Sequence, residues 1–320
     1  MPRTDPEDKT PIGPTASDRS AREAARAERH RDATHEEWRS VTHSDLWIPQ
    51  EERALYKKAL TTLNAAGIPY VVAGAYGIYA HTGIYRETKD LDLLVEPQHV
   101  DPAMHHFREA GLVTRLEQPV WLAKATSEPH FVDVIFGIGN GLGVIDSDWY
   151  RYSTPGILAA TPVRIAPAEE LLWHRLFISE RHRQDMADIV HLIVCKGTAL
   201  DWRRILQRTG EHWPLLLAQA QMFNYVYPEI RSGIPGWVWD DLLSRAAADR
   251  HRRRTDERVT RGTLVSRFSF SIDVHEWEFR DLGAEAERGM EQLPIIREIA
   301  FSDVWQHLSQ SALDYRARYR

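Results

Sequence analysis

Apolar positions along this chain recur with two different periods, and the change from one to the other divides it. Over 51–65 (EERALYKKALTTLNA), Leu55, Ala59, Leu60 and Leu63 share one helical face, and Gly67 follows as a stop. The apolar run Ile68-Pro69-Tyr70-Val71-Val72-Ala73 reads as a buried strand ending at Gly74, with a brief helix over 75–81 after it. A second strand is expected over 91–96, closed by Pro97, then a helix over 100–110 that ends at Gly111. Two or three strands should cover 112–136, the last of them 130–136. From Pro167 onward the spacing turns helical. Pro167 suits a helix start, and Glu169 and Glu170 fall in a first turn, where the helix dipole favours carboxylates. Helical spacing continues through 170–195, 201–207, 213–225 and 236–246. The run 250–261 (RHRRRTDERVTR) reads as a surface linker, 264–279 as partly extended, and 284–319 as helical again; no internal repeat is visible.

The start of the chain has neither period. Residues 1–40 carry 17 charged side chains of both signs and one aliphatic β-branched residue, Ile12. Such a segment buries too little apolar surface to offset its ordering entropy, so 1–45 is expected to be a disordered tail. The organisation that follows is an α/β domain over 46–165 and a mainly helical C-terminal domain over 166–320, with the basic linker near 250–261.

Composition adds exclusions. A formal net charge of -6 over 320 residues means that no global basic field advertises nucleic-acid binding, although a local patch stays open. The single cysteine, Cys195, rules out an intramolecular disulfide and a cysteine-rich metal cluster, which fits a reducing cytosol. No run approaches 18 apolar residues and the N-terminus is too charged for a signal peptide, so a soluble, cytoplasmic protein with no membrane partner is expected. Eleven tryptophans point to aromatic-rich helix packing.

The candidate chemistry lies in Val71-Val72-Ala73-Gly74-Ala75-Tyr76-Gly77 and in Arg86-Glu87-Thr88-Lys89-Asp90-Leu91-Asp92-Leu93-Leu94-Val95. Asp90 and Asp92 stand two apart at the start of a strand. Alternation sends both to one face, while Leu91 and Leu93 point to the core. Two carboxylates on one face repel unless a cation sits between them, which suits a divalent metal. Phe131-Val132-Asp133-Val134-Ile135-Phe136 is an apolar strand with one acidic residue in its middle, and an unpaired carboxylate there would be costly. If that strand lies beside the first, Asp133 joins the same site. Three carboxylates plus substrate phosphates suit Mg²⁺, which keeps an octahedral oxygen shell. Gly74, ending a strand and opening a helix, offers backbone amides to a triphosphate, and the small residues at 73–75 permit close approach.

Strand, Gly, small residue and helix, then D-x-D, then a later strand with one Asp: this pattern resembles the nucleotidyltransferases of the DNA polymerase β-like superfamily. It is most similar to a bacterial family known simply as nucleotidyltransferase, through Gly139-Asn140-Gly141, 144–149, 167–192 and His212-Trp213, which covers most of 46–280. The resemblance implies an α+β fold, in which a polymerase β-type domain with a small mixed sheet and helices precedes a helical C-terminal domain. It implies an enzyme that transfers a nucleoside monophosphate from an NTP, above all ATP, to an acceptor hydroxyl and releases pyrophosphate. The acceptor is a small molecule or a tRNA. Mg²⁺ is the implied cofactor, as one or two ions, with Mn²⁺ able to substitute. By that resemblance Asp90, Asp92 and Asp133 are the metal ligands and catalytic residues, with Asp133 the base. Gly74, Ala75, Tyr76, Thr88, Lys89 and Arg175 are the nucleotide contacts. Two departures stand out. Ala75 replaces a Gly or Ser, and Arg175 stands where relatives often carry a lysine. Ala75 keeps a second reading open, a non-catalytic nucleotide-binding or regulatory module on the same fold.

Other motifs carry less. Gly137-Ile138-Gly139-Asn140-Gly141-Leu142-Gly143 superficially matches a dinucleotide fingerprint but opens no helix and sits in no βαβ unit. It reads better as a loop beside the site, with Asp146, Asp148 or Trp149 either closing on substrate or forming a turn and a packed aromatic. Arg181, Arg183, Asp185 and Asp188 are expected on one helix, paired i to i+4 or facing the cleft. His174 and His191 read as packed histidines, and His105-His106 has no partner at metal-ligand spacing.

Overall fold

Leu91, Leu93, Val132 and Val134 alternate with Asp92, Leu94, Asp133 and Ile135 along two neighbouring strands, and this alternation organises the molecule. The computed structural model describes residues 48–320 except 87, 181, 182, 231 and 254. All of them belong to one compact unit, His43–Arg320. The tail expected over 1–45 lies outside the described residues, as does Arg181.

Eight strands form the central sheet: β1 (Val71–Val72), β2 (Leu91–Leu94), β3 (Val113–Gln118), β4 (Leu122–Ser127), β5 (His130–Ile135), β6 (Thr154–Leu158), β7 (Thr161–Ile165) and β8 (His307–Leu308). Their order is β8-β3-β4-β5-β2-β1-β7-β6. The sheet is mixed. β2 runs parallel to β5, β1 antiparallel to β2, and β8 parallel to β3. The helices are α1 (Gln50–Ala65), α2 (Gly74–Thr82), α3 (Val100–Glu109), α4 (Ala168–Arg175), α5 (Met186–Lys196), α6 (Trp202–Thr209), α7 (Trp213–Val226), α8 (Gly236–Arg250), α9 (Leu282–Glu291), α10 (Pro294–Phe301) and α11 (Gln310–Tyr319). Short helical turns at Ser147–Arg151 and Ser271–His275 interrupt the loops. This is the α+β arrangement of a mixed sheet followed by a mainly helical region. No helix among the described residues is long and apolar enough to cross a membrane.

One apolar core joins Leu91, Leu93, Val132 and Val134 to Leu60 and Leu63 of α1 and to Met104 and Phe107 of α3. Ile296, Ile299 and Tyr315 of the last helices enter the same core, and β8 adds a strand at the sheet edge. The other core holds Leu94 and Ile135 with Leu171 and Leu172 of α4, Ile189 and Ile193 of α5 and Phe223 of α7. Asp92 and Asp133 alternate onto this second side, which the helical region covers.

Three local expectations change. The first strand shortens to Val71–Val72: Ala73 still donates its N–H to the carbonyl of Asp92 at 3.0 Å, but Gly74 at φ +55° turns the chain into α2. Arg183 and Asp185 do not share a helix with Asp188. Arg183 lies in a two-stranded ribbon (Ser179–Glu180 with Arg183–Gln184), and Asp185 precedes α5. The two-residue fork between Arg183 and Asp185 explains this, because side chains two apart on a helix do not face each other. Trp149 is a packed core aromatic, while Asp146 caps the turn that follows it and pairs with Arg208, so neither is poised over the metal site.

Candidate active site

The parallel register of β2 and β5 sets Asp92 directly beside Asp133. Asp90, just ahead of β2, accepts a hydrogen bond from Thr88 Oγ1 at 2.7 Å, which fixes its carboxylate. One ligand oxygen from each of the three aspartates lies within 4.8 Å of the other two. At that spacing each pair of full charges repels by roughly 3 kcal/mol in a protein-like dielectric. Burial, then Asp90 and Asp133, push Asp92 up to about 7, while Arg175 and Arg183 oppose the shift. Burial also raises Asp133, against the hydrogen bond from Lys124. An acidic oxygen cluster that resists its own ionisation suits a divalent cation, and the three oxygens match the hard donors Mg²⁺ or Mn²⁺ take.

Gly74 explains how the chain passes so close to the carboxylates. It has φ +55°, and a Cβ there would lie 1.7 Å from Asp92 Oδ2. Glycine tolerates both the left-handed backbone and the approach. Gly74 also opens α2, so the helix N-terminus begins beside the acidic cluster.

These residues line a cavity of about 1190 Å³. Asp90, Asp92, Asp133, Gly74, Ala75, Thr88 and Arg175, among the residues singled out in the sequence, all face it. Tyr76 and Lys89 do not. Tyr76 is buried in the first core, edge-on to Tyr56 with centroids 6.1 Å apart, and Lys89 is exposed outside the lining. Arg175 faces the cavity but is 4% exposed; it donates from Nη2 to the Gly74 carbonyl at 3.2 Å and from Nε to Asp188 Oδ2 at 2.9 Å. His174 behind it is held down to about 4 by burial and by Arg175 and Arg183, so it stays a neutral packed histidine, edge-on to Trp149.

The structure adds residues that sequence reasoning passed over. Lys124, opposite Asp133 in the β4–β5 register, donates to Asp133 Oδ1 at 2.6 Å and lies 4.0 Å over the Phe131 ring. Its signal was a lone lysine in an otherwise small and apolar strand. Arg86 pairs with Asp188 through a contact that spans 102 residues, which no local pattern announces. The far wall is a strap over 263–268. Its Val265 carbonyl accepts from Ser179 N at 3.0 Å, Ser266 Oγ donates to Glu180 at 2.5 Å, and Arg267 donates to the Gly139 carbonyl at 3.0 Å. The glycine loop 137–143 is thereby a support for the strap.

No protein-family model matches the chain, and no curated protein matches it. Solved structures do. The chain is similar to the antibiotic-resistance factor ANT(2'')-Ia, with 15% identity and a TM-score of 0.40 over 56% of this chain and 100% of that one. It is similar to the lincosamide antibiotic adenylyltransferase LnuA, solved with lincomycin bound, with 19% identity and a TM-score of 0.33 over 45% and 96% of the two chains. A third is an antigenic nucleotidyltransferase-like protein from Paracoccidioides brasiliensis, with 12% identity and a TM-score of 0.29 over 54% and 93%.

Proposed function

We propose that this chain is a nucleotidyltransferase that moves a nucleoside monophosphate from an NTP, ATP first, to an acceptor hydroxyl. The observation that carries the reading is the register of Asp92 beside Asp133, with Asp90, so that three carboxylate oxygens meet within 4.8 Å next to the Gly74 turn. Asp90, Asp92 and Asp133 hold Mg²⁺, or Mn²⁺ in its place, and the ion when bound supplies charge stabilisation at the phosphoryl oxygens. Gly74 leaves room for the Asp92 carboxylate, which a Cβ there would strike. Asp133 orients the acceptor hydroxyl and takes its proton, with Lys124 holding its carboxylate through Oδ1. The acceptor oxygen forms the new bond to the α-phosphorus, and the bond to the pyrophosphate oxygen breaks. Thr88 keeps Asp90 in place throughout.

Between the two acceptor classes, a small molecule is favoured over a tRNA. Arg250, Arg252 and Arg253 do not line the cavity, and Arg267 at its rim is already paired with Glu287 at 3.0 Å. A non-catalytic nucleotide-binding module is the second reading. It is supported by the Lys124 ammonium on Asp133 and by Ala75, which offers phosphate no hydroxyl.

The test is pyrophosphate release from each NTP with Mg²⁺ and a panel of hydroxyl acceptors, tRNA included. Asp90→Asn should lower turnover at least a thousandfold while its melting curve stays close to that of the parent. Metal-dependent ATP binding with no release from any acceptor would favour the second reading; full release by Asp90→Asn would remove the first.

A further inference from the structure

Five side chains of alternating charge touch in sequence along the cavity wall beside Gly74. Arg86 Nη2 contacts Asp188 Oδ2, and Arg175 Nε reaches the same oxygen at 2.9 Å. Arg175 Nε lies 3.7 Å from Asp185 Oδ2, which also accepts from Arg183 Nη2 at 3.1 Å; Arg183 Nε completes the fork to Asp185 Oδ1 at 3.1 Å. Three guanidiniums and two carboxylates leave the row with one excess positive charge.

Its ends differ from its middle. The side chains of Arg175, Asp185 and Asp188 are 3%, 1% and 3% exposed, whereas those of Arg86 and Arg183 are 47% and 57% exposed. Arg86 and Arg183 line the same cavity as the three aspartates. Burying two carboxylates is costly unless each is paired, and here each is paired with an arginine whose side chain stays about half exposed. The result is a pair of planar donors held in fixed orientation, the geometry that suits phosphate oxygens. Arg175 is spent internally, on Gly74 and Asp188.

We propose that Arg86 and Arg183 clamp the β- and γ-phosphates of the bound nucleotide, and that Arg175 is a positioning residue that aligns them. The assignment rests on the nucleotidyltransferase reading and moves the phosphate contacts from Lys89 and Arg175 to two other arginines. Asp188 and Asp185 serve as the anchors, and the buried middle of the row transmits their alignment to the Gly74 turn.

Titration calorimetry of the full chain with ATP, AMP and inorganic pyrophosphate, in Ca²⁺ to prevent turnover, tests it. Arg86→Gln and Arg183→Gln should each weaken ATP and pyrophosphate about tenfold or more and leave AMP within about twofold. Arg86→Lys should recover only part of the loss, because the ammonium lacks the fork. Arg183→Gln leaves buried Asp185 with only the 3.7 Å contact to Arg175, so Arg183→Gln/Asp185→Asn, which returns the row to its one excess positive charge, is measured with it and should show the same selective loss. Equal weakening of ATP and AMP, or unchanged ATP binding, overturns the clamp while the nucleotidyltransferase reading stands. A parent protein that binds neither ATP nor AMP overturns both.

Discussion

Gly74 is a position where one added carbon would strike the acidic cluster directly. A methyl group there meets Asp92 Oδ2 at 1.7 Å and Asp92 Cγ at 2.7 Å, on a backbone with φ +55°. The left-handed conformation alone costs a side chain about 1–2 kcal/mol. Gly74→Ala should therefore lower the melting temperature by a few degrees and weaken Mn²⁺ binding at least tenfold, read by calorimetry; unchanged Mn²⁺ affinity would show that the turn does not shape the metal site. Asp92 itself sets a pH dependence. Its folded pKa of about 7 lies above the ordinary 3.8, so the group favours folding most at low pH. That contribution is complete below about pH 4 and is lost as the pH rises through 7. In chelator, the parent should thus lose stability relative to Asp92→Asn between pH 5 and pH 8, and saturating divalent ion should restore it. A gap between the two melting curves that ignores pH would contradict this.

At the scale of elements, much was legible because local periods do local work. α1 buries Leu55, Ala59, Leu60 and Leu63, the four residues its spacing marks out, and α3 ends where Gly111 takes up φ +79°. The single acidic residue in 131–136 is buried beside Asp92, as its cost in an apolar strand implied. The segment 177–188 was not legible in the same way. Apolar spacing carries on across Phe177 and Ile178, yet α4 stops at Arg175 and a ribbon intervenes before α5. The segment is tied by contacts to Gly74 and Arg86, about 100 residues away, and no window of the sequence contains both partners.

Across the whole molecule, the last 40 residues return to the first core and add one strand to the sheet edge. β8 pairs with β3, the Thr114 N–H donates to Gln306 at 2.8 Å, and Ile296, Ile299, Ala312 and Tyr315 sit at 0–2% exposure in the first core. A chain ended after Asp281 should lose these contacts and show no cooperative unfolding transition in urea; a sharp transition would mean that the sheet closes without them. The amino-acid sequence by itself determined the α+β class, most of the helices, and the candidate Asp90–Asp92–Asp133 cluster, because strand alternation and the cost of a buried carboxylate act within a few residues. Only the tertiary structure decided which cations face that cluster. Tyr76 went to the core, Lys89 to solvent and Arg175 into an internal row, while Arg86, Arg183 and the 263–268 strap closed around the cavity and Lys124 paired with Asp133. Pairing a charge depends on which strands and helices become neighbours, and that follows from burying both faces of one sheet at once.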